Sequence, residues 1–276
     1  MDKPAGMTSH DVVARVRRLF GTRAVGHTGT LDPFATGLLV LVLGQATRLA
    51  RFVEGERKTY RAVARLGWST TTDDGTGEPE GPAWTGDWPT GDELARALGA
   101  EIGRRLQQPP RFSAKKVGGT RSYAAARQGE TLAVAPSEVT VDEAALVRYD
   151  APAFEFRAVV GPGTYLRAMA RDVGARLGTG GHLTALRREQ VGRFRVADAT
   201  PVADLTGAEP LVPPPELVAG LERVEATEAE TEALRHGRRI GTAAGSGLAA
   251  IVRGGALVAV AEPREGQWQP VVVLNP

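Results

Sequence analysis

The chain has 276 residues, of which 42% are hydrophobic and 24% are charged, and its formal net charge at pH 7 is +2. These values are ordinary for a globular protein with one large and one small domain. The absence of cysteine excludes disulfides, thiolate nucleophiles and cysteine-based zinc sites, and the four histidines form no His-x-x-x-His pair. We therefore expect a protein without a metal or cofactor.

The sequence contains no uninterrupted apolar run long enough to cross a bilayer. Its N-terminus has an acid and a proline where a signal peptide has a basic and then an apolar stretch. A cytoplasmic location without membrane association is expected.

Charged residues are unevenly distributed along the chain. Seven acids and no lysine or arginine lie between Asp73 and Glu93. Arginine suits bidentate contacts to phosphate. Two interpretations remain open, a surface that binds a polyanion and an ordinary solvated surface of an arginine-rich protein. The arginine-rich groups are Arg15 to Arg23, Arg57 to Arg65, Arg104 to Arg127 and Arg187 to Arg195.

Hydrophobic periodicity and turn residues predict the elements of the first hundred residues. A helix begins at Thr8-Ser9, with Asp11 in its first turn, and ends at Gly21. The further predictions, in chain order, are a loop over 26–37, one buried strand over 38–43, a short helix over 46–52, a strand over 59–66, a surface loop over 67–92 and a helix over 92–103.

The next part of the chain begins with residues 107–129, which mix basic, aromatic and glycine residues without periodicity, as is typical of a functional loop. Strands over 139–149 and 154–160 are predicted to pair. Residues 161–164 open a helix on which Arg167 and Arg171, four residues apart, share one face.

Prolines between 210 and 215 indicate a domain boundary. After Glu222, short apolar segments over 248–252, 256–261 and 270–274 predict a small β-rich domain. The predicted domains are residues 1–222 and 223–276.

The loop over 26–37 is the most informative segment. Its glycines allow tight turns, and Pro33 gives the preceding Asp32 a defined direction. The pattern alone leaves two interpretations open, because Asp-Pro is also common in ordinary turns. If Asp32 is functional, a lone carboxylate without a metal site favours chemistry at a sugar carbon, as nucleophile or as base.

A series of short motifs then occurs in a fixed order along the first 195 residues or so. The motifs are residues 2–9, 26–37, 44–48, 58–62, 108–116, 123–129, 163–167, 182–188 and 191–194. Together they closely resemble the bacterial tRNA pseudouridine-55 synthase family, TruB.

This resemblance implies an α+β fold with a catalytic domain of the pseudouridine-synthase type. Its central sheet is expected to be mixed, largely antiparallel and flanked by helices and loops. Residues 107–129 resemble an insertion that clamps RNA, and residues 223–276 resemble a small PUA-like RNA-binding domain.

The implied reaction is the cofactor-free isomerisation of one uridine in the T loop of tRNA, at position 55, to pseudouridine. The implied partner is the T-arm stem-loop of tRNA. No obligate protein partner is expected, and the protein is expected to be a monomer.

The resemblance also assigns catalytic roles to Asp32, Tyr60 and Arg167. Asp32 matches the essential aspartate. Tyr60 matches the aromatic residue that stacks on the target base and takes part in proton transfer at C5. Arg167 matches the arginine that pairs with the aspartate and keeps it ionised. From the residues alone, Tyr60 also fits a strand core, and Arg167 also fits a phosphate clamp or a surface residue.

Further residues are implied to bind RNA. His27 matches a histidine that fills the space left when the target base is flipped out of its stack. Leu186 matches an apolar pocket residue. The basic residues assigned to RNA binding are Lys58, Arg111, Lys115, Lys116 and Arg127.

Three alternative functions remain open at this point. One is a non-catalytic RNA-binding or tRNA-folding protein, and another is a guide-RNA-dependent pseudouridine synthase. The motif over 123–129 favours the stand-alone bacterial type over the guide-dependent one. A glycosidase for free nucleosides would need a second carboxylate paired with Asp32, and the sequence does not indicate one.

Overall fold

The computed structural model describes residues 1–112, 116–117, 120–121, 135–243 and 245–274. Contacts between Cα atoms divide these residues into two compact units. Unit 1 takes Met1–Ser9, Thr30–Leu39 and the described residues of Gly55–Val202. Unit 2 takes His10–Gly29, Val40–Glu54 and the described residues from Ala203 onward. The division at residue 222 remains a prediction.

The strands and helices are numbered in chain order. The strands are β1 (Asp2–Lys3), β2 (Val25–His27), β3 (Thr36–Leu38), β4 (Leu41–Leu43), β5 (Lys58–Leu66), β6 (Ser69–Thr70), β7 (Pro79–Glu80), β8 (Gly103–Gln107), β9 (Lys116–Val117), β10 (Thr120–Arg121), β11 (Ser137–Asp150), β12 (Ala153–Val160), β13 (Gly181–Val191), β14 (Phe194–Arg195), β15 (Glu222–Glu225), β16 (Ala249–Arg253), β17 (Ala256–Arg264) and β18 (Gln267–Val273). The α-helices are α1 (Ser9–Leu19), α2 (Ala50–Glu54), α3 (Gly91–Gly99), α4 (Leu166–Arg176) and α5 (Glu228–Arg235), and 3₁₀ turns lie at Gly44–Leu49, Val196–Asp198, Val202–Asp204 and Pro214–Val218.

Unit 1 is built on a sheet of eight strands in the order β1-β3-β13-β5-β12-β11-β8, with β14 paired to β13. All of these pairs are antiparallel except β13 with β3. Strand β12 alternates between buried and half-buried residues, as expected of a sheet with one face in the core. The predicted mixed, largely antiparallel sheet and the predicted pairing of β11 with β12 are confirmed.

Helix α4 packs closely on one face of this sheet. A Cβ atom on Gly174 would lie 2.4 Å from the backbone of Gly180, and one on Gly181 would lie 2.9 Å from the carbonyl oxygen of Ala170. Only glycine allows the helix and the strand to approach this closely. The contact anchors α4 over the start of β13.

One edge of β13 binds β5 along its length, and the other edge receives β14 and two further short segments. Near the start of β13, Leu183 forms a parallel bridge with Asp74, with its N–H donating to the carbonyl of Asp73 at 3.0 Å. Further along, Arg187 and Arg188 pair in parallel with β3. Two segments that are distant in sequence therefore lie along the same strand edge.

Three sequence predictions in this region are wrong in part. The apolar run 38–43 is not one strand: it divides at Leu39 and Val40 into β3 and β4, because β3 pairs with β1 and β13 whereas β4 pairs with β2. The segment 67–92 is not all surface loop, because Asp73 and Asp74 are only 7% and 4% exposed.

The helix predicted over 92–103 ends at Gly99, and Gly103 begins strand β8. Gly103 has a φ of 111°, which a helix does not accommodate. At the start of the helix, Thr90 and Glu93 form a capping box that fixes its first turn.

Unit 2 contains a four-stranded sheet in the order β15-β16-β17-β18. Its core includes Ile251, Trp268 and Leu234, the last from α5. A second cluster packs Leu49, the last residue of the first 3₁₀ turn, with Ala250 and Val260. The predicted β-rich character and the predicted helix over Thr8 to Phe20 are confirmed, whereas β15 and α5 were not predicted. The PUA-like assignment remains a prediction.

Among the residues that the structure describes, no helix is both long and apolar enough to span a bilayer.

Substituting Gly37 by alanine is expected to destabilise unit 1. Gly37 has a φ of 100°, and a Cβ atom there would lie 2.3 Å from the carbonyl oxygen of Arg188. The backbone conformation alone costs a non-glycine residue about 1–3 kcal/mol, and the clash adds to this. Urea unfolding of G37A measures the loss, and G99A is the control, since its Cβ would meet nothing within 4 Å. Equal stability of the two variants would contradict the prediction.

Candidate active site

The loop that carries Asp32 is held by residues near the N-terminus. The buried Ser9 hydroxyl accepts from the N–H of Leu31 at 2.9 Å and donates to the Leu31 carbonyl at 3.2 Å. The carbonyl of Pro33 accepts from the N–H of Gly6 at 2.8 Å and from Lys3 Nζ at 3.3 Å. The backbone on both sides of Asp32 is therefore fixed.

The buried side chain of Arg188 holds the two ends of the same loop. Its Nε donates to the carbonyl of Leu38 at 2.7 Å, and its Nη1 donates to the carbonyl of Thr30 at 3.5 Å. Arg188 is 2% exposed. The buried guanidinium of Arg188 thus joins residues 30 and 38, and Asp32 lies in the loop between them.

Arg167, the second residue of α4, pairs with Asp32. Its Nη2 donates to Asp32 Oδ1 at 3.2 Å, and its Nε lies 3.0 Å from Oδ2, in an ion-pair contact. The Arg167 side chain is 5% exposed and that of Asp32 is 33% exposed. The guanidinium is thus enclosed, while the carboxylate faces partly outward, where a substrate can reach it.

Asp74 is a second partner of Arg167 that sequence reasoning missed. Its Oδ2 lies 3.3 Å from Arg167 Nη1. Its Oδ1 accepts from Thr72 Oγ1 at 2.8 Å and from the N–H of Thr76 at 3.0 Å. The sequence does show an acidic stretch that begins at Asp73, but the turn-forming residues of 67–92 predict a surface loop there.

Arg167 also binds two backbone carbonyls. Nη1 donates to Thr72 and Nη2 donates to Phe112, each at 2.8 Å. The guanidinium therefore connects the Asp32 loop, the segment 72–74 and the beginning of the segment 107–129.

Burial and the neighbouring cations have opposite effects on the pKa values of the carboxyl groups in this site. Burial raises the pKa of Asp32 above its ordinary value of 3.8, against the lowering effect of Arg167. Asp74 raises the pKa of Asp32 further, and Lys3 lowers it. Burial likewise raises the pKa of the neighbouring Asp73, against the effect of Arg171. An ionised Asp32 consequently depends on the cations around it.

Tyr60 and Leu186 lie on the α4 side of the large sheet. Tyr60 on β5 pairs with Arg188, and Leu186 on β13 pairs with Ala62. They share the face of Gly181, on which an added Cβ atom would meet Ala170 and Gly174 of α4. Both are nearly buried, at 7% exposure. The structure thus places the two residues on one face of adjacent strands, and their roles remain predictions.

The other predicted RNA-binding residues have varied surroundings. Lys58 is 8% exposed, and its Nζ donates to the carbonyl of Glu56 at 2.9 Å. His27 belongs to unit 2, where its Nδ1 accepts from the N–H of Gly29 at 3.3 Å. Arg111 is exposed and its Nη1 donates to Glu80 at 2.9 Å. The side chains of Lys115, Lys116 and Arg127 lie outside the described residues.

Within the described ranges, no group of three or more histidine or acidic side chains is arranged to hold a metal ion.

Family models match most of the chain. The N-terminal domain of TruB family pseudouridylate synthases matches residues 17–166. The chain belongs to the TruB family. A C-terminal domain model of tRNA pseudouridylate synthase B matches residues 167–211, and a C-terminal model of tRNA pseudouridine synthase II matches residues 221–275. The predicted family and the predicted enzyme class, an isomerase that forms pseudouridine, are confirmed.

Relatives in this family are similar over nearly their whole length. A tRNA pseudouridine synthase B of Thermobifida fusca is 47% identical over 285 residues, covering 99% of this chain and 96% of the relative. One from Leifsonia xyli is 45% identical, covering 99% and 94%. One from a Mycobacterium species is 44% identical, covering 100% and 95%.

Solved structures confirm the predicted pseudouridine-synthase fold. An H/ACA RNP bound to a substrate RNA containing 2'-deoxyuridine matches with a TM-score of 0.76 at 22% identity, covering 100% of this chain and 84% of that one. A Cbf5-Nop10-Gar1 complex matches with a TM-score of 0.73 at 25% identity, covering 99% and 82%.

Removing the Ser9 hydroxyl is expected to loosen the loop of Asp32. The variant S9A leaves the buried N–H and carbonyl of Leu31 without this partner, which costs about 1–3 kcal/mol. Pseudouridine formation should slow as well, because Asp32 follows Leu31 directly. Urea unfolding and single-turnover rates measure the two effects. The control T47A removes an exposed hydroxyl that donates to Gly44; a change of equal size in both variants would refute the argument.

Activity is expected to fall at acid pH. If the reaction needs an ionised Asp32, protonation of Asp32 abolishes it, and the raised pKa places that loss above pH 3.8, the ordinary aspartate value. The rate should therefore decrease as the pH falls, with its midpoint above this value. Single-turnover rates between pH 3 and pH 8, with circular dichroism to monitor folding, measure the midpoint. A midpoint at or below the ordinary value would contradict the assigned environment of Asp32.

Proposed function

We propose that this protein converts the T-loop uridine of tRNA, at position 55, to pseudouridine, with Asp32 as the catalytic carboxylate. The relatives named above carry the name tRNA pseudouridine synthase B, and they match this chain over 94% or more of their length. Such coverage supports a shared substrate class, tRNA.

The observation that carries the proposal is the pairing of Asp32 with the enclosed Arg167. A carboxylate that is 33% exposed, next to a guanidinium that is 5% exposed, combines access with a nearby counter-charge. The buried cation favours the ionised form of the carboxylate, which is the form that can attack carbon or remove a proton.

The proposed reaction breaks the bond between uracil N1 and the ribose C1′. The uracil turns, C5 bonds to C1′, N1 gains a proton and C5 loses its proton. Asp32 starts the reaction either by attacking C1′ or by removing a ribose proton. Tyr60 stacks on the base and takes part in proton transfer at C5.

The uridine must leave its base stack before a carboxylate can reach its ribose. We assign His27 to the space that the flipped base leaves, and Leu186 to the apolar wall of the pocket, on the residue-by-residue resemblance to the family. Lys58, Arg111, Lys115, Lys116 and Arg127 are assigned to the RNA backbone on the same grounds, since cations next to phosphate supply most nonspecific affinity.

The protein is proposed to act alone, as a monomer in the cytoplasm, on the T-arm stem-loop. A guide-RNA-dependent enzyme would need partner molecules, and a tRNA-folding protein would need no Asp32. The two alternatives therefore differ from the proposal in experiments on the purified chain.

The variant D32N is expected to abolish the reaction while binding persists, because an amide cannot act as nucleophile or base. Release of tritium from tRNA labelled at uridine C5 measures turnover, and filter binding measures affinity. The control D87N changes an exposed aspartate. Full turnover by D32N would overturn the mechanism.

Two further results would overturn the proposal in other ways. Pseudouridine mapped at a uridine outside the T loop would refute the assigned position. Inactivity of the purified wild-type chain on a complete tRNA and on the T-arm stem-loop would refute independent action.

A further inference from the structure

Arg171 lies one turn after Arg167 on α4 and makes a parallel set of contacts. Its Nη1 donates to Asp73 Oδ2 at 2.8 Å, and its Nη2 donates to the carbonyl of Gln108 at 2.9 Å. Its Nε donates to Asp172 at 3.0 Å, which fixes the plane of the guanidinium. The Arg171 side chain is 22% exposed.

The two arginines bind the same two segments. Arg167 contacts Asp74 and the carbonyl of Phe112, and Arg171 contacts Asp73 and the carbonyl of Gln108. Each guanidinium thus joins segment 72–74 to segment 108–112. Because consecutive turns of one helix present the two arginines, the spacing of the contacts is set by the helix itself.

A third contact ties Gln107, the residue before segment 108–112, to the start of α4. The buried Gln107 side chain donates from Nε2 to the carbonyl of Tyr165 at 3.1 Å and accepts at Oε1 from the N–H of Tyr165 at 2.9 Å. Tyr165 is the N-cap residue of α4. Residues 107, 108 and 112 are therefore each held to this helix or to its N-cap residue.

The first segment has an unusual backbone. Asp73 is nearly buried and has a φ of 60°, a left-handed conformation that non-glycine residues seldom adopt. Such a conformation persists where surrounding contacts fix it. The ion pair with Arg171 is one such contact, and the next residue along the chain is Asp74, which binds Arg167.

We propose that Arg171 is a positioning residue for the reaction. By holding Asp73 and Gln108, it fixes Asp74 and Phe112 as partners of Arg167, and thereby fixes the guanidinium next to Asp32. It contributes to the rate at saturating tRNA rather than to tRNA affinity. This inference rests on the proposed function for its kinetic part.

If Arg171 instead contacted a phosphate of the tRNA directly, its loss would weaken tRNA binding rather than slow the reaction at saturating tRNA. The variants R171A and R171K separate the two. R171K keeps the positive charge, but its single ammonium cannot reproduce the fork that spans Asp73, Asp172 and Gln108. The control R176A changes another arginine of the same helix. Its Nη2 lies 3.7 Å from Oε1 of Glu101, a residue that belongs to neither segment.

The experiment measures the single-turnover rate at saturating tRNA, the tRNA dissociation constant and thermal unfolding for the wild type and the three variants. R171A should slow the reaction by about 10- to 100-fold, the loss typical of a small misplacement of reacting groups. R171K should remain slow, and R176A should stay close to the wild type. The dissociation constants of both Arg171 variants should change by less than about threefold, because positioning acts on the bound complex.

The inference fails if the loss in R171A lies in the dissociation constant, if R171K restores the rate, or if R176A slows the reaction as much at equal stability. An inactive wild type would instead refute the proposed function. Hydrogen exchange tests the structural part without activity: the amides of residues 72–74, 108, 111 and 112 should exchange faster in R171A than in R176A. Equal exchange in the two variants would overturn the holding role of Arg171.

Discussion

The site depends on the contacts of one buried group, the guanidinium of Arg167. A cation that is 5% exposed is costly unless oxygen atoms surround it, and here two carboxylates and two carbonyls do so. Those oxygens come from the loop of Asp32, from segment 72–74 and from Phe112. Ordering one side chain therefore requires three distant parts of the chain to be correctly folded. Removing any partner leaves a buried charge less compensated, which is more damaging than loss of an exposed ion pair.

The large sheet brings these parts together through a simple arrangement. Strand β13 offers one edge to β5 and the other to Asp74 near its start and to β3 further along. The loop of Asp32 leads into β3, so both carboxylates lie along the same edge. Helix α4, placed over the start of β13 by the close contact at Gly174 and Gly181, then presents Arg167 to both. Backbone pairing sets the positions, and the ion pairs fix the side chains.

The same arrangement affects the pKa of Asp32. Burial opposes ionisation of Asp32, and Arg167 and Lys3 favour it. A carboxylate with a raised pKa is a stronger base than a fully solvated aspartate, and the proposed mechanism uses this basicity to attack a sugar carbon or to remove a proton. Several cations converge on this loop: Lys3 and Arg188 hold its backbone, and Arg167 holds its carboxylate.

The sequence by itself determined the local elements and the main candidates. Periodicity placed α1, β5, the pair β11 and β12, and the shared face of Arg167 and Arg171, because side-chain spacing along helices and strands is a local property. Asp32, Tyr60 and Arg167 came from motif resemblance, and the structure brings Asp32 and Arg167 into contact. Only the tertiary structure decided that the apolar run 38–43 divides between two sheets, and that Asp73 and Asp74 lie inside the site. Those outcomes depend on which strand edge each segment meets, and pairing between segments a hundred residues apart leaves no local signal in the sequence.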